Sequence, residues 1–136
     1  MSELNGTTST DCQAPLHPRA IEGLELFNQG KYWRAHEALE AAWREEIGPI
    51  RELYRGILQA AVVYLHVTHN NYAGAVKVYE RCIRWLKPWP DKCRGVEVEL
   101  LRKDLDKVID VVVSLGPDQL AAFDPSLLKP VSYTRT

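Results

Sequence analysis

The stretch Leu53 to His66, LYRGILQAAVVYLH, constrains this chain more than any other, because between Ile57 and Leu65 its only polar side chain is Gln59. A helix that is apolar nearly all round needs other helices on more than one side, so this one predicts the centre of a bundle. At about 100° per residue, Ile50, Leu53, Ile57, Ala61, Tyr64 and Thr68 share one face. Arg55, Gln59, Val62 and His66 fall along the opposite line. The central helix thus carries one narrow polar seam. A solvent-facing edge ordinarily carries Lys and Glu; this one carries Arg, Gln, Val and His. Where the seam points is the functional question.

The rest of the chain supplies helices to surround it. Residues 1–16 are polar and aperiodic and read as a disordered N-terminal tail. Residues 17–124 read as the helical domain and 125–136 as a C-terminal strap. His17-Pro18 opens the first helix, with Ala20, Ile21, Leu24 and Phe27 as its apolar stripe and Gly30 as its stop. A second runs from about Lys31 to Ile47, aligns Tyr32, His36, Leu39, Trp43 and Ile47, and ends at Gly48-Pro49. The central helix spans about Ile50 to His69, and Asn70-Asn71 turns the chain. The fourth helix, Tyr72 to Leu86, stops at Lys87-Pro88-Trp89-Pro90. A loop through Gly95 leads to the fifth, about Val96 to Leu115, and strand-like alternation is absent throughout.

One internal similarity organises these helices. GKYWRAHEALE, from Gly30, and NNYAGAVKVYE, from Asn70, share Tyr, Ala and Glu at matching places, and each opens the second helix of a pair. The pattern is that of helical-repeat hairpins, in which a small Ala lets two helices approach closely. Two copies are fewer than the three that a free-standing solenoid needs. The expectation is an all-α, single compact bundle of about five helices: two helical hairpins plus a closing C-terminal helix.

Composition narrows the function classes. At 136 residues with no long linker, the chain predicts one domain with a core of its own. A formal net charge of -1 with dispersed Lys and Arg gives no electrostatic reason for a nucleic-acid or membrane partner. The longest apolar run falls short of the roughly 20 residues that span a bilayer, and the polar N-terminus does not read as a secretory signal. Cys12, Cys82 and Cys93 are odd in number and form no CxxC, which predicts reduced thiols and a cytoplasmic location, with Cys82 simply core.

Candidate chemistry sits on the second and third helices. His36 lies on the buried stripe, Glu40 is one turn on and within its reach, and Glu37 stands about 100° away. Aimed at Arg55, Gln59 and His66, these side chains predict a polar pocket with Arg55 and Glu37 at its rim and Tyr32, Trp33, Trp43 and Tyr64 as aromatic walls. Three functional readings follow: a small-ligand pocket in which Arg55 pairs a carboxylate or phosphate, a metal-dependent hydrolase-type site ligated by His36, Glu40 and His66, and acid–base catalysis by a Glu–His pair. HExxH and paired ExxH spacings are absent. A closed hydrogen-bonded network with no ligand explains the same residues, and a helical-repeat surface for a partner protein, or for a second copy, makes the pocket incidental. The sequence leaves the cofactor unknown. Gly56 reads as a point where another helix approaches the central one.

The runs FNQGKYWRAHEALEAAWR, LYRGILQAAVVYLH and NNYAGAVKVYERCIRWL closely resemble the family known as domain of unknown function 309. The matching positions are Phe27, Gly30, Ala35, His36, Glu37, Glu40, Trp43, Gly56, Gln59, His66, Asn71, Gly74 and Ala75, over roughly residues 20 to 88. Asn70 departs from the Gly usual at that place. The resemblance implies an all-helical domain and carries no established activity.

Overall fold

Five helices account for the body of the molecule: α1 (Pro18–Asn28), α2 (Tyr32–Glu45), α3 (Arg51–Thr68), α4 (Tyr72–Leu86) and α5 (Val98–Leu115). The computed structural model describes residues 11–135. α3 packs between α2 and α4, α1 packs on α2, and α5 closes the bundle against α4. The greasy stretch is central, as its composition requires: Leu53, Ile57, Ala60, Ala61, Val63 and Tyr64 are all fully buried. Phe27, Tyr32 and Tyr64 meet there edge to face or tilted, with ring centroids 5.3–5.6 Å apart. Tyr32 and Tyr64 therefore belong to the core and not to a pocket wall.

The two hairpins are built alike down to their turns. Gly30 and Asn70 both adopt positive φ, 78° and 57°. The same pair of hydrogen bonds closes each preceding helix: Gly30 N–H to Phe27 O and Lys31 N–H to Leu26 O in one, Asn70 N–H to Val67 O and Asn71 N–H to His66 O in the other. Close approach is also built in. A Cβ on Gly56 would lie 2.6 Å from Leu86 Cδ2, so α4 is the helix that approaches α3 at that glycine.

Three departures from expectation have physical reasons. Ile47, expected on the buried stripe of α2, is 89% exposed. The helix has already ended there, since Glu46 is extended and the helical period no longer applies. Second, Lys92–Cys93 and Val96–Glu97 form a two-stranded antiparallel hairpin. Arg94 and Gly95, both at positive φ, make its two-residue turn. Strands of two residues are too short to leave a periodic trace.

Third, Cys12 and Cys93, expected as free thiols, are joined in a disulfide across 81 residues. With that, the cysteine argument for a reducing compartment falls away. Cys82 alone is free; it is buried, and its Sγ donates to Gly56 O at 3.2 Å. Of the stretch read as a tail, residues 1–10 lie outside the described residues. Residues 11–16 dock on the body, with Leu16 buried and the Arg94 side chain bonded to the carbonyls of Asp11 and Pro15. At the other end, the Asn28 side chain bonds both N–H and C=O of Val131, and Arg135 pairs with Glu25. No helix among the described residues is long and apolar enough to cross a membrane.

Candidate functional site: a groove over the central helix

The polar seam of α3 is neither buried shut nor fully exposed: Arg55, Gln59, Val62 and His66 are all half-buried. Helices on both flanks explain this. Arg55 Cζ lies 4.8 Å from the centroid of Trp43, on α2, and 4.3 Å from that of Trp85, on α4. At Arg55 and Gln59 the seam forms the floor of a groove, with Trp43 of α2 and Trp85 of α4 flanking Arg55. An open cavity of about 210 Å³ is lined there by Glu40, Trp43, Arg55, Leu58 and Gln59.

Trp43 is itself held in place. Its Nε1–H donates to Glu52 Oε1 at 3.1 Å, its carbonyl accepts from Arg51 Nε at 3.1 Å, and Arg51 Cζ sits 4.4 Å over its ring. Glu52 also pairs with Arg55 Nε at 3.0 Å. Freezing an arginine costs up to about 2 kcal/mol of rotamer entropy. Two indole contacts at about 0.5–1 kcal/mol each, with a half-buried carboxylate, offset most of that before any ligand arrives. Arg55 is therefore preorganised. Glu52 is the one carboxylate within 4.0 Å of it among the described residues.

The other predicted residues divide. Glu40 lines the cavity but pairs with Arg44, at 3.4 Å, and not with His36 or Arg55. Both partners were one turn away. A permanent cation on the C-terminal side of the glutamate is the favoured arrangement, and His36 offers no fixed charge. Gln59 lines the cavity too, with its Oε1 buried and without a partner. His36 stacks on Trp33 (centroids 4.9 Å, planes 24° apart), and its Nδ1 is likewise buried without a partner. Neither His36, Glu37 nor His66 lines the cavity.

His66 has a different task. Its Nδ1 meets Asn71 Nδ2 at 3.2 Å, while Asn71 Oδ1 caps α4 by accepting Gly74 N–H at 2.9 Å. A Cβ at Gly74 would collide with that Asn71 side chain at 2.6 Å. Asn71, Gly74 and His66 thus form one turn-locking unit. Burial, with His69 adding to it, holds His66 below the ordinary histidine pKa. Among the described residues no three His, Cys, Asp or Glu side chains gather as metal ligands, so the set His36, Glu40 and His66 is not assembled.

Trp85, Arg51 and Glu52 were missed as site residues. Trp85 carried a signal: it is the aromatic just before the Pro-rich stop of α4, but only the packing of α4 on α3 reveals that it faces Arg55.

Fold and groove together define a small helical-hairpin module with a preorganised arginine in an open cleft. Residues 20–78 match the model of a family described as Domain of unknown function (DUF309), which is the resemblance read from the motifs. A protein of Aquifex aeolicus (strain VF5), named only as uncharacterized, is 29% identical over 103 residues, covering 73% of this chain and 30% of that protein. The chain thus spans less than a third of the length of that relative.

Proposed function

We propose that the groove is a binding site for an anionic group, a carboxylate or phosphate presented by a small ligand or by a partner protein, and that the chain acts as a binding module. The observation that carries this is Arg55, fixed over Trp43 and Trp85 with one neighbouring carboxylate. Such a guanidinium has its orientation set in advance, which lowers the entropic cost of capturing an anion. The open form of the cavity suits a group at the end of a larger molecule as well as a free metabolite. The match to part of a longer relative supports a module reading.

Catalysis finds less support. The predicted Glu40–His36 pair is not formed, and the histidine that does meet a glutamate, His17 with Glu45 at 3.0 Å, lies outside the groove. Titration with glutarate, inorganic phosphate and a short acidic peptide, followed by tryptophan fluorescence, tests the reading and separates its sources. Binding lost in Arg55→Gln, with helicity unchanged, is the expected result. No saturable change with any of the three probes, or a change indifferent to Arg55, sinks it.

A further inference from the structure

A second polar assembly gathers at the α2–α3 turn. Arg94, the only buried charged residue among those described, donates to Glu46 Oε2 at 3.0 Å and to the Tyr54 hydroxyl at 3.0 Å. Its other guanidinium contacts are Asp11 O at 2.7 Å and Pro15 O at 3.4 Å. Glu46 and Tyr54 stand at the two ends of the α2–α3 turn. Glu46 is three residues beyond Trp43, and Tyr54 immediately precedes Arg55. One guanidinium therefore ties together the segment that carries Trp43, Arg51, Glu52 and Arg55. The N-terminal segment completes the assembly: His17 N–H donates to Tyr54 Oη at 3.0 Å, and Arg94 N–H donates to Cys12 O at 2.7 Å. The disulfide sits at the centre, joining Cys12 to the residue next to Arg94.

We infer that the Cys12–Cys93 disulfide is a redox-controlled brace, which holds residues 11–17 and Arg94 against the α2–α3 turn and so keeps the groove in its binding form. The co-reactant is a dithiol. Cys12 is half-buried and Cys93 fully buried, so the incoming thiolate attacks Cys12 Sγ, and Cys93 departs as a thiolate that takes up a proton. The second thiol of the reductant then attacks the mixed disulfide and releases Cys12. The dithiol gives up two electrons and becomes a disulfide, and the protein gains two thiols. Freed of its cross-link, the segment is held only by its hydrogen bonds to Arg94 and Tyr54 and by the buried Leu16, and local opening becomes easier.

The link to the groove rests on the anion-binding reading; the brace itself does not. Hydrogen exchange on the full chain, oxidised and after dithiothreitol, with alkylation to count free thiols, separates the two. The backbone amides of His17 and Arg94 should exchange about tenfold faster, or more, once the disulfide is reduced. Cys93→Ser should show the same fast exchange without reductant. Unchanged protection at both amides in protein with freed thiols overturns the brace. Glutarate binding should weaken about tenfold on reduction. Faster exchange with unaltered binding overturns the link to the groove. An oxidised protein that binds none of glutarate, inorganic phosphate and the acidic peptide defeats the anion-binding reading instead, and the exchange result still decides the brace.

Discussion

Asn70 repeats the backbone conformation of Gly30 one hairpin later. Both residues are left-handed, and each is followed by a helix that begins two positions on, at Tyr32 and at Tyr72. The turn is a shared device, and its demand is for a residue that tolerates positive φ. Gly30→Ala should lose about 1 kcal/mol, the cost of placing a Cβ in that region. Asn70→Ala should lose less, since Asn70 already carries a Cβ and gives up only the local polar contacts that ease a left-handed conformation. Asn70→Gly should change stability by less than about 0.5 kcal/mol, since relief of strain is offset by a more flexible unfolded chain. Urea melts of the three variants decide it.

Gly56 sets how close α4 can come to α3. Gly56→Ala places a methyl where Leu86 Cδ2 and Cγ already sit, at 2.6 and 2.9 Å, so overpacking should destabilise by about 1–3 kcal/mol. Trimming the clashing neighbour should recover part of that. The double variant Gly56→Ala with Leu86→Ala should lose less than the sum of the two single losses, by at least about 0.5 kcal/mol. Strict additivity would mean the helices yield elsewhere.

Glu40 separates two magnitudes. A glutamate neutralising a buried histidine or arginine would cost about 3–5 kcal/mol to remove. Glu40 instead pairs with the exposed Arg44, a contact worth about 0.3–0.5 kcal/mol. Glu40→Ala should therefore leave the denaturation midpoint nearly unmoved. A large loss would show that Glu40 neutralises a buried group after all.

His66 gives the fold a pH dependence of known sign. Its pKa in the folded protein lies below the ordinary 6.5, chiefly through burial and further through His69. The unfolded chain therefore takes up the proton more readily. Stability from this group is complete above pH 6.5 and falls as the pH drops through the folded-state value. Two-dimensional NMR of the ring protons should place the His66 midpoint below 6.5, and a midpoint at or above it would contradict the assignment.

Much of this architecture was legible in the residues themselves. Composition alone put Ile57 to Leu65 at the centre, because no solvent-facing helix tolerates apolar side chains on every side. The Gly30 and Asn70 stops, the Pro18 start and the Gly56 contact follow from steric rules that act within a few residues or at one small side chain. The seam was legible as an anomaly, and three of its six candidates, Glu40, Arg55 and Gln59, line one cavity. Periodicity reports direction around a helix axis and not distance along it or across it. That is why His66, about 10 Å further along α3 than Gln59, went to a turn instead.

What only the tertiary structure decided came from residues distant in sequence. Trp85 meets Arg55 because α4 folds back along α3. Cys12 and Cys93 meet where the N-terminal segment docks, and there Arg94 finds Glu46, Tyr54 and two carbonyls. Helical periods and stop signals act over a few residues and survive in any context that keeps the chain helical. A disulfide, a cation over two indoles and a buried guanidinium depend on where separate segments end up, and that is settled by the packing of the whole core.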